Sequence, residues 1–258
     1  MFISTQELEK IIHEDYILIV DARSYKDYSK GHIPGSVSLD LFSFHWSDTS
    51  EKGIVSFGEH MRKILSYAGI DENKKIIFYD NVTGMLAARG VWMCLYFSHP
   101  DVQMLDGGYS KWSTENLPIQ TESIIYKPSK LSTPIDPSIL IGFGELNENL
   151  GKITLIDARS SDEFDGTIPR AARGGHIPTA KNIDWNNNLD DSGKLKPDEE
   201  LESLYELDKE SQIITYCQGA YRAANSYLSL KKIGFKNVKV YLGSWGEWGN
   251  KMDLPIEK

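Results

Sequence analysis

Only two cysteines occur in the chain, and one of them, Cys217, stands in the stretch "SQIITYCQGAYRAANSYLSLKK", residues 211–232. An apolar, β-rich run ends at the cysteine, a short loop follows, and a helical pattern begins. Such a loop turns successive backbone N–H groups inward and forms an anion-binding nest. Gly219 eases the tight turn because it tolerates dihedrals that other residues avoid. At the start of the helix the macrodipole stabilises a thiolate, and Arg222 adds to this if it points at the loop. The stretch suits a nucleophilic sulfur that holds or attacks something anionic, and it needs no separate histidine base. A lone free cysteine is more often a small buried residue. Here the strand end, the glycine, the arginine and the following helix weigh for the nucleophile. Cys94 has none of these neighbours; it lies among Trp92, Met93 and Leu95 in an apolar helical run and reads as core.

The elements that must hold this loop are written twice. "LIVDARSYKDYSKGHIPGSVSLD" begins at Leu18 and "LIDARSSDEFDGTIPRAARGGHIPTAKNID" at Leu155. The DAR aspartates, Asp21 and Asp157, are 157 − 21 = 136 residues apart. "KKIIFYD" ends at Asp80 and "SQIITYC" at Cys217, an offset of 137, while Trp112 of "LDGGYSKW" and Trp248 of "YLGSWGEW" are 136 apart. Three blocks in one order at one offset are a duplication. The Pro-, Ser- and Lys-containing stretch "SIIYKPSKLSTPIDPS" reads as an extended crossing between the copies. This divides the chain into domains of roughly residues 1–122 and 135–258.

Within each copy, short apolar runs alternate with helical patterns. "YILIVDAR", "KKIIFYD" and "VQMLDGG" read as strands, as do "ITLIDAR", "SQIITYC" and "VKVYLGS". The alternation predicts an α/β fold: in each domain a mainly parallel sheet with helices on both faces, and reactive loops at the C-terminal ends of strands.

Composition removes several function classes. A formal charge of −9 over 258 residues, with no basic run, argues against nucleic acid or an anionic membrane as the partner. Two cysteines without a CxxC or Cys/His cluster make neither a disulfide framework nor a zinc site, so no metal is expected. "MFISTQELEKIIHEDY" lacks the layout of a signal peptide and no apolar run is long enough for a membrane span, which leads to the expectation of a cytoplasmic protein.

The two DAR motifs, the two GHIP motifs, the loop "CQGAYR" and the closing "LGSWGEW" together resemble a tandem-domain rhodanese, a thiosulfate sulfurtransferase, over nearly the whole chain. The resemblance implies a catalytic second domain and an inactive first one, since Asp80 stands where Cys217 stands and a carboxylate cannot carry transferable sulfur. It implies that Cys217 takes the outer sulfur of thiosulfate as a persulfide and passes it to cyanide or a thiol by a ping-pong cycle. Backbone N–H groups of Gln218, Gly219, Ala220, Tyr221 and Arg222 would hold the persulfide, and Arg222 would bind the sulfonate. No metal or organic cofactor is implied. The partners would be a small sulfur donor and a thiophilic acceptor, or a protein bearing a thiol.

Only four residues separate Cys217 from Arg222, whereas related phosphatases and arsenate reductases have five; the smaller ring suits one sulfur atom. Mercaptopyruvate sulfurtransferases share the duplication but usually carry a Cys-Gly-Ser/Ala-Gly-Val-Thr loop, absent here. The insert "TIPRAARGG" before the second GHIP places Arg170 and Arg173 as candidate holders of an anionic substrate, or as solvated loop charges. This leaves 3-mercaptopyruvate as an alternative donor and sulfur relay to a partner protein as an alternative role. Asp157 and Arg159, like Asp21 and Arg23, occur in both copies and read as scaffold, as do His32 and His176. What only one copy carries is a candidate for function. Trp46, without a match in the second copy, is a candidate apolar wall over the site.

Overall fold

One central strand carries each repeat, and its residues dictate where it goes. "KIIFY" and "IITY" are β-branched and aromatic almost throughout, and their side chains are buried on both faces apart from the leading lysine. A strand of this kind needs neighbours on both edges and cover on both sides. The computed structural model, which describes residues 1–258, supplies them identically in both repeats. Phe2–Ile3 (β1), Ile17–Asp21 (β2), Ser36–Ser38 (β3), Lys75–Tyr79 (β4) and Val102–Leu105 (β5) form a sheet in the order β1-β5-β4-β2-β3. Leu140–Ile141 (β6), Thr154–Asp157 (β7), Lys181–Asn182 (β8), Ile213–Tyr216 (β9) and Val238–Tyr241 (β10) form a second in the order β6-β10-β9-β7-β8. Every pairing is parallel. The fold is α/β, a parallel five-stranded sheet with helices, made twice. No helix is long and apolar enough to cross a membrane.

The compact units do not follow the repeats strictly. One unit comprises residues 1–44, 58–136 and 189–195; the other comprises 45–57, 137–188 and 196–258. Each therefore takes in a short stretch from the other repeat. Their cores are counterparts. Ile17, Ile19, Ile77, Tyr79, Leu105 and Trp112 pack together in the first, and Leu155, Ile214, Tyr216, Tyr241, Trp245 and Trp248 in the second.

The DAR and GHIP motifs serve the same ties in both units. Asp21 accepts a bidentate bond from Arg23, whose Nη2 also donates to the Gly31 carbonyl at 2.7 Å. Asp157 accepts from Arg159 in the same way, and Arg159 Nη2 reaches the Gly175 carbonyl at 2.9 Å. His32 and His176 direct Nδ1 to the Tyr28 and Phe164 carbonyls, each at 2.9 Å.

In the first unit β4 ends at Asp80, a buried carboxylate that turns back into its own loop. Its two oxygens accept from the amides of Val82, Gly84, Leu86 and Ala87 at 2.9–3.2 Å. The last two amides belong to the first turn of the helix Met85–Tyr96, where they have no partner within the helix. Burial pushes the Asp80 carboxyl up to about 6, and these four amides hold it from rising further. Asp80 is thus an internal anion that fills an anion nest.

In the second unit the stretch 45–57 is pinned to the sheet by a buried carboxylate. Glu247 accepts from the Thr49 amide at 2.9 Å, the Thr49 hydroxyl at 2.5 Å and the Tyr241 hydroxyl at 2.8 Å. Thr49 Oγ1 in turn accepts from the amide of Phe143 at 2.9 Å. Trp46 is half-buried in this stretch, its Nε1 donating to the Asp48 carbonyl and its ring edge-on to Phe57 at 5.8 Å.

Two predictions follow from these buried carboxylates. Glu247→Ala leaves the Thr49 and Tyr241 donors buried without an acceptor, and should lower stability to urea by on the order of 3 kcal/mol. A loss below about 1 kcal/mol would show that the clamp contributes little. For Asp80 the raised value fixes the sign. The stability it contributes is fully present below its ordinary value of 3.8 and is lost as pH rises through about 6. Between these limits the native protein should lose on the order of 3 kcal/mol relative to Asp80→Asn. Parallel pH–stability curves for the two proteins would refute the assignment.

Candidate active site

Cys217 is the first residue after β9, where the sheet's central strand delivers it to the start of the helix Tyr221–Lys232. The thiol is buried, 1 % exposed. Ala220, the residue before the helix, has φ of +65°, so the chain makes a left-handed step just where it must enter the helical turn. That step is supported from the segment after β10. The Ser244 hydroxyl accepts from the amides of Cys217 at 3.2 Å and Ala220 at 3.1 Å, while donating to the Tyr241 carbonyl at 2.9 Å. The Cys217 and Gln218 carbonyls accept from the amides of Trp245 and Gly246 at 2.8 and 2.9 Å. With both carbonyls turned outward into these bonds, the amides of Gln218, Gly219 and Arg222 meet no acceptor in the chain.

The first unit repeats the two outward carbonyl bonds of this frame but not its left-handed step, for Thr83, the counterpart of Ala220, has no positive φ. The amides of Tyr109 and Ser110 donate to the Asp80 and Asn81 carbonyls, but Gly108 stands where Ser244 stands. The serine bracket belongs to the cysteine copy alone. Sequence reasoning missed Ser244, although comparing "LDGGYSKW" with "YLGSWGEW" exposes the difference.

Arg222 lies in the first turn of the helix, and its guanidinium is held bidentately by Glu163, Nη1 to Oε2 at 2.5 Å and Nη2 to Oε1 at 2.9 Å. Burial pushes the Glu163 carboxyl up, but the hydrogen bonds and charge of Arg222, with the Ser160 amide and Arg170, outweigh it and bring it down to about 2. Burial works against the charged form of Arg222. Glu163 and the charge of Cys217 overcome that and hold the guanidinium well above its ordinary value. The Arg222 cation is therefore permanently charged, oriented by a carboxylate and close enough to Cys217 to interact with it by charge. Glu163 is the second residue that sequence reasoning missed. Its signal was the capping pattern "SSDE", in which Ser160 and Glu163 cap the short helix Ser161–Phe164 reciprocally.

The remaining predicted residues fall into two groups. Gln218 donates from Nε2 to the Arg170 carbonyl at 2.9 Å, which ties the insert to the loop. Arg170 keeps a largely exposed side chain, with Nη1 3.5 Å from Glu163 Oε1. Arg173 is turned the other way: it donates to the carbonyls of Trp248, Gly249, Leu254 and Lys251. Those are the orphan carbonyls at the end of the helix Ser244–Trp248 and just beyond it, so Arg173 caps a chain segment and its donors are spent. Cys94 is fully buried and burial alone pushes its thiol up, the opposite of activation.

The architecture has known counterparts. The model of the rhodanese-like domain matches residues 4–115 and again 143–251. The chain is 35 % identical over 249 residues to the sulfur carrier protein TtuD of Thermus thermophilus, covering 90 % of this chain and 87 % of that protein. It is 28 % identical over 246 residues to the thiosulfate sulfurtransferase of Pseudomonas aeruginosa, covering 93 % and 91 %. Among solved structures, SseA of Escherichia coli, described as a 3-mercaptopyruvate sulfotransferase, superposes with a TM-score of 0.79 at 27 % identity, covering 95 % of this chain and 98 % of that one. Two matched domains, one carrying the cysteine and one a carboxylate in its place, make this chain a tandem-domain member of the rhodanese sulfurtransferase family.

Proposed function

We propose that the protein is a thiosulfate sulfurtransferase that carries the transferred sulfur on Cys217. One observation carries this reading. The Cys217 loop is the counterpart of one that, in the first unit, closes its amides on a buried carboxylate, yet here the strand ends in a thiol and the amides of Gln218, Gly219 and Arg222 find no acceptor in the chain. An anion is what the loop lacks, and a persulfide supplies one. Its outer sulfur extends beyond the cysteine as the carboxylate of Asp80 extends into its own loop.

In the first half-reaction the Cys217 thiolate attacks the sulfane sulfur of thiosulfate. The S–S bond of thiosulfate breaks, sulfite leaves with the bonding pair, and Cys217 becomes a persulfide. The amides of Gln218, Gly219 and Arg222 are fixed in advance and stabilise the negative charge as it moves to the outer sulfur. Arg222 acts from its bidentate seat on Glu163 and stabilises first the thiolate and then the persulfide by charge. In the second half-reaction the carbon of cyanide, or a thiolate, attacks the outer sulfur. The persulfide S–S bond breaks and the Cys217 thiolate returns.

Two further readings of the same chemistry have support. Similarity to a protein named as a sulfur carrier favours delivery of the persulfide sulfur to a thiol on a partner protein. A 3-mercaptopyruvate donor would draw on Arg170, whose side chain is 57 % exposed beside Glu163. Arg173 no longer supports that donor, because carbonyls occupy it.

Thiocyanate formation from thiosulfate and cyanide, with 3-mercaptopyruvate run in parallel, tests the proposal. Turnover with thiosulfate should fall to the uncatalysed level in Cys217→Ala. The native kcat/KM for thiosulfate should exceed that for 3-mercaptopyruvate by about tenfold or more. The reverse preference would move the assignment to 3-mercaptopyruvate, and turnover surviving in Cys217→Ala would remove Cys217 from the chemistry.

A further inference from the structure

The stretches that each unit takes from the other repeat are the same part of each copy. His45 begins one and Leu189 the other, and each lies 13 residues past its GHIP histidine (45 − 32 and 189 − 176). Each sits on the loop at the end of the central strand. In the first unit the Gly193 carbonyl accepts from the Thr83 amide at 2.8 Å. A Cβ added at Gly193 would come within 2.5 Å of Val82, two residues past Asp80. In the second unit the ring of His45 lies against Gly219, two residues past Cys217. A Cβ added at Gly219 would run into His45 Cε1 and come within 2.5 Å of Nδ1. Equivalent stretches thus cover equivalent points of equivalent loops. Over the loop filled by a carboxylate lies a glycine, and over the loop with the thiol lies an imidazole.

The ring is held there from several sides. It stacks on Tyr221 with 6.3 Å between centroids and 15° between planes. Its Nε2 lies 3.5 Å from where a Cβ on Gly246 would stand. Four residues on, the Thr49–Glu247 clamp fixes its chain to the sheet. The side chain is nonetheless exposed to solvent. A small side chain at 219 is therefore demanded by the ring and not, as the sequence suggested, by the turn, whose left-handed step falls on Ala220 while Gly219 has no positive φ.

A sulfur donor brings two parts to such a loop: the sulfur to be transferred, and an anionic head that must remain outside the ring of amides. Both terminal nitrogens of Arg222 are engaged by Glu163 and those of Arg173 by backbone carbonyls. We infer that His45 is a specificity-determining residue whose imidazole N–H hydrogen-bonds the anionic head of the sulfur donor, a sulfonate or a carboxylate, while the Cys217 loop takes its sulfur. This rests on the sulfur-transfer reading of the loop. It also gives the copy without a strand-end cysteine a part in the reaction, since that copy supplies the residue.

The decisive measurement is calorimetric binding of thiosulfate to Cys217→Ser, which cannot be loaded, with and without His45→Ala and His45→Gln. His45→Ala should weaken binding by about tenfold or more, the range for a hydrogen bond to a charged group. His45→Gln keeps an N–H donor and should recover part of the loss, and His45→Phe, which keeps the packing, should not. In protein that retains Cys217, His45→Ala should raise the KM for thiosulfate and leave discharge of the persulfide by cyanide unchanged. Affinities within twofold of one another, no thiosulfate binding to Cys217→Ser, or equal slowing of loading and discharge would each overturn the assignment. If the native protein forms no persulfide yet Cys217→Ser binds thiosulfate through His45, the sulfur-transfer reading fails and this one stands.

Discussion

The structure turns on how a central parallel strand ends. Its last peptide is followed by a helix whose first N–H groups have no partner inside the helix, and a loop between them adds further amides. Those donors are buried and must meet an acceptor. The first repeat meets the need within the chain, with Asp80 accepting four of them. The second repeat places a thiol there and keeps the amides of Gln218, Gly219 and Arg222 uncommitted. Asp80 against Cys217, together with Gly108 against Ser244, thus separates a self-filled nest from one whose amides find no acceptor in the chain. The rest of the fold, DAR ties and GHIP ladders included, holds that strand end in the same place in both copies.

Much of this was legible because the chain is written twice. The offsets of 136 and 137 located the repeats, and the apolar runs located β2, β4 and β5 and their counterparts β7, β9 and β10. The outer strands β1, β3, β6 and β8 are only two or three residues long, too short for an alternation to show. What differs between the copies carries the most information. It singles out Cys217 against Asp80, and the same rule flags Ser244 against Gly108. It flags His45 only once the GHIP histidines, and not the DAR aspartates, set the register, because the insert before the second GHIP shifts it. Glu163 was hidden for a different reason. A capping glutamate is fully explained by the helix it caps, and nothing local says that it also holds an arginine 59 residues away. Arg173 shows the converse. An arginine in a polar insert looks available, and only the path of the chain after Trp248 reveals the carbonyls that claim it.

A copy with a carboxylate in place of the strand-end cysteine usually invites the explanation that it stabilises the other one. Here the chain gives it a more specific part. Glu247 lies in the closing helix of the second repeat, a buried carboxylate whose three partners are hydroxyls and an amide. Burying a carboxylate is costly and is tolerated only where its hydrogen bonds are complete. Two of those bonds come from Thr49, a residue of the first repeat, so the second repeat's core is incomplete without the stretch that also carries His45. Losing the first copy would therefore leave an unsatisfied buried charge beside the loop, not merely an exposed face.

The electrostatics of the site follow the same logic of short range. With a formal charge of −9 the molecule as a whole repels an anionic donor. The positive groups at the loop do not offset this at a distance. The Arg222 charge is matched by Glu163 at 2.5 Å, and a matched pair projects little field beyond its own neighbourhood. On the proposed reading, what attracts the donor acts only on contact: amide N–H groups, the helix end and a ring lying on Gly219. Contact forces of this kind discriminate by shape and by hydrogen-bond direction, and being partly buried they are screened little by salt. Such a site selects by the placement of its donor's head and sulfur rather than by net charge. His45 in its inferred role is of this kind: a single residue over the loop would have a leverage that a surface charge would not.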